Sequence, residues 1–212
     1  MTRGRRVREL CALLFAASMM SGCAAVFSRE SAPIDWYLLS SAPASTTAAR
    51  TDAAAAGPIY AVAPVRVPEY LSQRSIVTRT GENELRLAAD AQWASPLADG
   101  IASVLGENIS LLIPSDRVVQ LPVSSAVPVD YEIRVEIVRF ERQPDASVDL
   151  VARWTVFGEG GRRMIAMERT SLRRDGVADD YRSIAAAMSG LLLDLSRAVA
   201  GTLRNAASTP LS

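Results

Sequence analysis

The sequence predicts an α+β fold, a single domain in which a mostly antiparallel mixed sheet carries two long helices. The first observation is the alternation in "YEIRVEI", residues 131–137, and in "VDLVARWTV", residues 148–156, where every second side chain is apolar. Period two with one polar face is typical of strands that are buried on one side only. The second observation is that apolar residues recur three and four positions apart in 96–113 and 181–202, which indicates amphipathic helices.

A hairpin is predicted around "TGEN", because a glycine lies between two short alternating runs, 74–79 and 84–88. We expect Ile76, Leu85 and Leu87 to pack inward from this hairpin. Further strands are predicted for residues 34–39, 58–68, 117–121 and 162–174, the last with a less decided pattern.

The first helix is predicted to begin at Pro96, a residue that suits a first helical turn, and to end before Pro114. Trp93 lies just before this helix, where burial against the sheet is favoured over ligand stacking. The apolar face of the second helix comprises Tyr181, Ile184, Met188, Leu191, Leu195, Val199 and Thr202.

The N-terminus has the features of a lipoprotein signal peptide. Four arginines precede an apolar stretch, residues 10–20, that is too short to span a membrane and ends in "MSGC". This ending resembles the lipobox, in which the cysteine, here Cys23, is diacylated and becomes the new N-terminus. Ala24 follows instead of aspartate, which in enteric sorting resembles an outer-membrane lipoprotein. Ordinary secretion with a spare cysteine is the alternative.

The domain organisation follows from these segments. Residues 1–22 are the predicted signal peptide and 23–33 a lipidated tether, followed by the folded domain at 34–206 and a frayed tail at 207–212. Within the domain, residues 40–57 are rich in Ala, Ser and Thr and lack a hydrophobic period, so we expect a mobile loop there.

Composition argues against enzymatic chemistry. The chain has no histidine and no lysine, so nucleophiles that need an imidazole or an amine are excluded. No phosphate-binding loop is present, and no cofactor or metal site is predicted. Without the signal peptide, 19 arginines face 22 acidic residues. A mildly acidic domain is a poor partner for nucleic acid. Carboxylate hydrolysis is the enzymatic option left, and the least favoured function.

A longer motif resembles a known family. The strings "APVRVPEYLSQRSIVTR", residues 63–79, and "LRLAADAQWASPLADGIASVL", residues 85–105, resemble the ABC-type transport auxiliary lipoproteins, the PqiC/YmbA-like family. The upstream "WYLL" fits as well. The sequence departs from the family pattern at Ser95, where an acidic residue is frequent, and at Ser72 and Gln73, where a charged pair is usual. The matching positions are Pro64, Val65, Pro68, Tyr70, Leu71, Arg74, Ile76, Val77, Arg79, Leu85, Trp93, Pro96 and Leu97.

The resemblance implies a role in lipid transport across the cell envelope. Members of this family accompany MCE-domain proteins and inner-membrane transport subunits that move lipid or other hydrophobic compounds. The lipoprotein would be held at the periplasmic face of the outer membrane through Cys23 and would dock or assemble the transport machinery, with any ATPase on a separate chain. A homo-oligomer that matches a symmetric ring partner is a further hypothesis.

The candidate docking residues lie in the same motif. Tyr70 and Leu71 follow Pro68 in a loop, where an exposed pair would indicate a contact. Arg74 and Arg79, together with Arg86, could form a docking row or simply a solvated face. The alternative function is a lipoprotein that binds a lipid or small hydrophobic ligand in an internal pocket. It predicts a large dry cavity between helices and sheet, whereas docking predicts a packed core and an exposed apolar patch.

Overall fold

The structure, a computed structural model, describes residues 33–43, 57–113, 115, 117–122 and 128–208. The predicted signal peptide, Cys23, the tether up to residue 32, residues 44–56 of the predicted loop and residues 209–212 of the predicted tail lie outside the described residues.

Eight strands, two α-helices and one short 3₁₀ turn make up the described part of the chain. The turn is Glu69–Leu71 and separates the second and third strands. The helices are α1, Leu97–Leu112, and α2, Tyr181–Ser208. The strands are β1, Asp35–Tyr37; β2, Tyr60–Val62; β3, Ser75–Gly81; β4, Glu84–Trp93; β5, Val118–Gln120; β6, Tyr131–Arg142; β7, Val148–Gly158; and β8, Arg163–Arg174.

The described strands form one mixed sheet in which β6 is central. On one side β6 pairs antiparallel with β7, and β7 pairs antiparallel with β8. On the other side β6 runs parallel to β2 and, at one position, to β3; β3 pairs antiparallel with β4. The edge strands β1 and β5 add short parallel pairings to β4 and β2. The long ladders are antiparallel and the parallel ones short, so the predicted α+β fold with a mostly antiparallel mixed sheet is confirmed.

Both helices cover the same face of the sheet and enclose one core. The inward positions of β6 and β7 are those that the alternation predicts, and Ile133, Ala152 and Trp154 are among the most deeply buried. The indole Nε1 of Trp154 donates a hydrogen bond to Thr170 Oγ1 on β8, 2.9 Å away. The buried indole N–H of Trp154 therefore has a hydrogen-bond acceptor inside the described core, as burial of a polar group requires.

The second helix is longer than its apolar stripe suggested. It continues to Ser208 and so includes two residues of the predicted tail. Of the described helices, α2 is the one whose length and composition would allow it to cross a membrane. Eleven of its residues between Ile184 and Leu203 are buried, however, so the apolar stripe is used against the sheet and α1.

The start of the predicted mobile loop is attached to both helices. The backbone N–H of Ser40 donates to Ser189 Oγ on α2 at 3.0 Å, and the N–H of Ala42 donates to Asn108 Oδ1 on α1 at 2.8 Å. Asn108 is fully buried. Residues 40–43 thus form a strap that leads from β1 across the two helices.

One inward assignment in the hairpin is wrong. Ile76 is buried and Leu85 half-buried, but Leu87 is 51% exposed. The cause is a bulge in β4: Val77 pairs with Leu87 while Ser75 pairs with Gln92, so β4 contains three more residues than β3 between these pairs. A bulge changes the phase of the alternation. Ala88, Ala91 and Trp93 are the buried residues beyond it, and the predicted burial of Trp93 is confirmed.

Candidate docking site

A buried carboxylate organises the motif residues. Glu141, near the end of β6, is fully buried. Its Oε1 accepts a hydrogen bond from Arg79 Nε at 3.0 Å, and its Oε2 accepts one from the hydroxyl of Tyr70 at 2.9 Å. The backbone N–H of Phe140 donates to the same Oε2 at 3.0 Å, and Gln143 Nε2 lies 3.3 Å from Oε1. The charge of Glu141 is therefore balanced by an arginine and shared among several donors, as a buried charge requires.

Local structure brings these groups to Glu141 from distant parts of the sequence. Pro68 precedes the 3₁₀ turn and fixes the backbone where the turn begins, which places Tyr70 above the end of β6. Arg79 lies on β3 beside the point where β3 and β6 pair, Thr78 with Arg142. Its Nη1 also donates to the carbonyl of Glu82 in the hairpin turn at 2.9 Å. One arginine thus joins the hairpin to the central strand.

The electrostatics of this cluster keep Tyr70 protonated. Burial of the phenol, together with the negative charge of Glu141, raises the pKa of Tyr70 to about 12. The hydroxyl is thus a hydrogen-bond donor at neutral pH, not a phenolate. Among the described residues, no group of three or more His, Cys, Asp or Glu side chains could hold a metal ion. The cluster fastens the Tyr70 turn and the hairpin to β6.

The expected exposed pair at residues 70 and 71 is not present. Leu71, the last residue of the 3₁₀ turn, is 2% exposed and packs in the core. Tyr70 is half-buried and its hydroxyl is engaged by Glu141. The side chain of Arg79 is 18% exposed and ion-paired. Of the predicted docking residues, Arg74 and Arg86 are exposed, and their role in docking stays a prediction.

A large open groove lies on the sheet face opposite the helices and was not predicted from the sequence. It has a volume of about 830 Å³ and crosses β6, β7 and β8 next to the segment after β2. The less regular alternation of β8 was the signal in the sequence for an apolar residue on the open face, since Met167 takes an outward position there and is 68% exposed. The lining residues are Ala63, Pro64, Val65, Arg66, Arg134, Val135, Glu136, Arg153, Thr155, Met167, Glu168 and Arg169.

Register explains how the charges of this groove come together. Across the antiparallel ladders, Arg134 faces Thr155 and Thr155 faces Met167, while Glu136 faces Arg153 and Arg153 faces Arg169. Two rows of side chains therefore cross the three strands on the open face.

The arginines in the groove differ in how they are held. Arg134 Nε lies 2.6 Å from Glu132 Oε1, and its guanidinium stacks 4.3 Å from the ring centre of Phe157. Arg153 pairs with Glu136 at 3.7 Å, with both side chains more than half exposed, so that ion pair is weak. Together with Arg66 and Arg169, four arginines line the groove against two glutamates. The groove is thus positive in a domain whose acidic residues outnumber its arginines.

Besides this groove, the described residues line smaller ones, for example beside the second helix, and those with volumes of about 420 to 520 Å³ are open to solvent as well. The inward residues of β6 and β7 instead pack directly on the helices; Ile133, Leu150 and Val156 have no exposed surface. This arrangement has the packed core that the docking interpretation expects.

Solved structures of other proteins resemble this fold. Two solved structures have similar folds: a crystal structure of an uncharacterised protein, with 19% identity, a TM-score of 0.65 and coverage of 81% of this chain and 99% of that one; and a protein from Xanthomonas campestris, with 17% identity, a TM-score of 0.62 and coverage of 82% and 100%. At such identities these structures support the fold only.

Sequence comparison is more specific. The chain is 26% identical over 132 residues to the intermembrane transport lipoprotein PqiC of Escherichia coli K12 and, with the same figures, to PqiC of Shigella flexneri. The match covers 61% of this chain and 66% of the relative, just under two thirds of its length. Residues 37–200 match the family model described as the ABC-type transport auxiliary lipoprotein component. That match covers most of the chain, including the motif, the Glu141 cluster and the groove, so the chain belongs to the family of ABC-type transport auxiliary lipoprotein components.

Proposed function

We propose that this protein is an outer-membrane-anchored accessory lipoprotein of an MCE-type intermembrane transport complex for lipid or other hydrophobic compounds. In this proposal Cys23 carries the lipid, residues 24–33 connect it to the domain, and the domain docks the transport machinery in the periplasm. Membership of the auxiliary lipoprotein family and the similarity to PqiC, an intermembrane transport lipoprotein, support it.

The observation that carries the docking role is the contrast between the two faces of the sheet. The face under the helices is filled by side chains such as Ile137, Leu150 and Leu192, which are at most 2% exposed. The opposite face carries the 830 Å³ groove, which is open to solvent. A lipid carrier would enclose its cargo among apolar side chains. An open groove lined by guanidinium groups suits a protein surface or segment instead.

The chemistry of the groove indicates the kind of segment that it would accept. Exposed arginines offer planar, bidentate donors for carboxylates and backbone carbonyls. Met167 provides a flexible apolar contact between them, and arginine and methionine are both enriched at protein interfaces. The partner segment would therefore combine acidic and apolar side chains, and we assign it to the MCE-domain protein.

A crosslinking experiment in native membranes tests this function. A photo-crosslinking amino acid is placed at Met167 in the groove, at Arg74 on the motif loop, or at Glu107, an exposed residue of α1, with Cys23 intact. We expect an MCE-domain protein, identified by mass spectrometry, to be captured from Met167 and not from Glu107. Capture from Arg74 alone would move the interface to the motif loop. Capture of lipid without protein at all three positions would contradict docking and favour a carrier.

Anchoring is tested separately by cell fractionation. We expect the protein with Cys23 to be recovered with outer membranes and a Cys23→Ser variant to be recovered in the soluble periplasmic fraction. Recovery of both proteins in the soluble fraction would contradict the lipid anchor. Assembly into a homo-oligomer stays a prediction; a monomeric mass for the purified mature protein, with and without its partner, would count against it.

A further inference from the structure

An exposed apolar row runs along the first strand. Ile34, Trp36 and Leu38 are 43%, 53% and 62% exposed, although their residue types are usually buried. Within the strand Trp36 alternates with Asp35 and Tyr37, so its side chain lies on the opposite side from Tyr37, and Ile34 and Leu38 flank the strand at its two ends. We name these three residues the β1 row.

The fold leaves this row outside the core. β1 lies at the edge of the sheet and pairs, among the described strands, with β4. The alternate residue Tyr37 is half-buried and packs against Tyr181 of α2, with ring centres 6.1 Å apart. The side chain of Tyr37 faces the helices, and adjacent residues of a strand point to opposite sides, so Trp36 is directed away from the helices. An exposed apolar row on a sheet edge promotes association unless something covers it.

The size of the row argues against a second copy of the chain as its cover. Three partly exposed side chains of these types present on the order of 300 Å². A stable protein interface needs about 800 Å² from each partner. When a covalent link already holds the two surfaces close together, a much smaller contact area is enough, because the link supplies a high effective concentration.

The position of the row in the chain supplies such a link. Ile34 follows the predicted lipidated Cys23 by eleven residues, and eleven residues span at most about 40 Å when fully extended. Along the chain, the row is thus the part of the described domain closest to the proposed anchor. Tryptophan prefers the membrane interface, where its ring meets both headgroups and acyl chains, and flanking aliphatic side chains insert beside it.

We propose that the β1 row is a second membrane contact, which seats this edge of the sheet on the lipid surface that holds Cys23. This inference depends on the lipid anchor of the proposed function. The contact would fix the orientation of the sheet relative to the bilayer. The strands follow the order β1, β4, β3, β6, β7, β8, so β8 lies at the far end of the sheet from β1. With β1 against the bilayer, β8 and Met167 at the groove are directed into the periplasm, where a partner would approach.

Tryptophan fluorescence tests the membrane contact with little interference from the other tryptophans of the chain. The chain has three tryptophans, and Trp93 and Trp154 are 4% and 1% exposed, so Trp36 is the accessible one. The lipidated full-length mature protein is reconstituted into vesicles of phosphatidylethanolamine and phosphatidylglycerol, with or without brominated acyl chains. We expect a blue shift and bromine quenching of the emission component that a Trp36→Phe variant lacks, and protection of that component from aqueous acrylamide.

Matched variants separate the row from general surface hydrophobicity. Ile34→Gln combined with Leu38→Gln should abolish bromine quenching of Trp36 while flotation with vesicles persists. Leu87→Gln, which removes an equally exposed leucine on β4, should leave quenching unchanged.

Each remaining outcome overturns the inference in a distinguishable way. Protein that floats with vesicles but keeps Trp36 unquenched and open to acrylamide would refute the membrane contact alone, with the anchor intact. Protein that fails to float would refute the anchor, and the seated orientation with it. Protection of Trp36 that appears without lipid and grows with protein concentration would assign the row to a second copy instead.

Discussion

The hydroxyl of Tyr70 donates a hydrogen bond to Oε2 of Glu141 over 2.9 Å, although the two residues are 71 positions apart in the chain. Arg79 reaches the other oxygen of the same buried carboxylate. Two positions of the family motif are thus occupied by residues that fasten the motif to the central strand. The contacts of Tyr70 and Arg79 with Glu141 thus lie inside the fold, and we propose that exposed residues such as Met167 contact the partner.

Tyr70→Phe should lower the free energy of unfolding by about 1–2 kcal/mol, because it removes one hydrogen bond to a buried charged acceptor. Urea unfolding followed by circular dichroism measures the change. Tyr37→Phe is the matched control, since its half-buried ring packs against Tyr181 and its hydroxyl has no hydrogen-bond partner among the described residues. Equal destabilisation by both variants would show that the hydrogen bond to Glu141 contributes nothing specific.

Glu141→Gln should destabilise the protein by about 3 kcal/mol, because it leaves the guanidinium of Arg79 without its counter-charge in a largely buried position. Combined with Tyr70→Phe in a double-mutant cycle, it should show a coupling energy of about 1 kcal/mol. Additive effects in urea unfolding would mean that Tyr70 and Glu141 contribute independently, against the contact described.

Alkaline pH should weaken the fold through Tyr70. The pKa of this phenol is about 12 in the folded protein and 10.0 for an ordinary tyrosine, so its proton is held more tightly in the folded state. The resulting stability is fully present below pH 10 and is lost as the pH rises through 12. The stability difference between the wild type and Tyr70→Phe should therefore shrink over this range in urea unfolding. The pKa values of Tyr60 and Tyr181 are also raised, but both proteins retain these residues. A constant difference would contradict the shift.

Thr170→Val should destabilise the core by about 1–2 kcal/mol, because the indole N–H of Trp154 loses its acceptor while the volume of the side chain is unchanged. A fall in melting temperature of about 4 °C is expected for a domain of this size. Thr155→Val, on the open face of the neighbouring strand, is the matched control and should change the melting temperature little. If Thr170→Val also has little effect, the indole must find another partner.

Much of the fold could be predicted because its signals are local. Alternation in β6 and β7 identifies Ile133 and Trp154 as inward residues, and spacings of three and four identify the buried stripe of α2. The inward assignment of Leu87 failed because a bulge depends on how two strands pair, and a single strand does not reveal it.

The candidate site was harder to predict because it depends on distant parts of the chain. Glu141, in "RFERQ", has the sequence context of a surface charge, and its burial follows only from Tyr70 and Arg79, 71 and 62 residues away. The groove arises where the outward residues of three strands meet, so Arg153 and Met167 form one surface only after the register is set.

The most direct test of the docking account is the affinity of the purified, lipidated protein for the periplasmic region of the proposed MCE-domain partner, with and without charge reversal in the groove. Arg153→Glu combined with Arg169→Glu should weaken binding at least tenfold, about 1.4 kcal/mol, and reduce the dependence of binding on salt. Arg74→Glu, a charge reversal at an exposed position outside the groove, should have less than a twofold effect once unfolding curves confirm that both variants are folded. Unchanged affinity in the groove variant, or a loss confined to Arg74→Glu, would contradict the assignment of the groove as the docking surface.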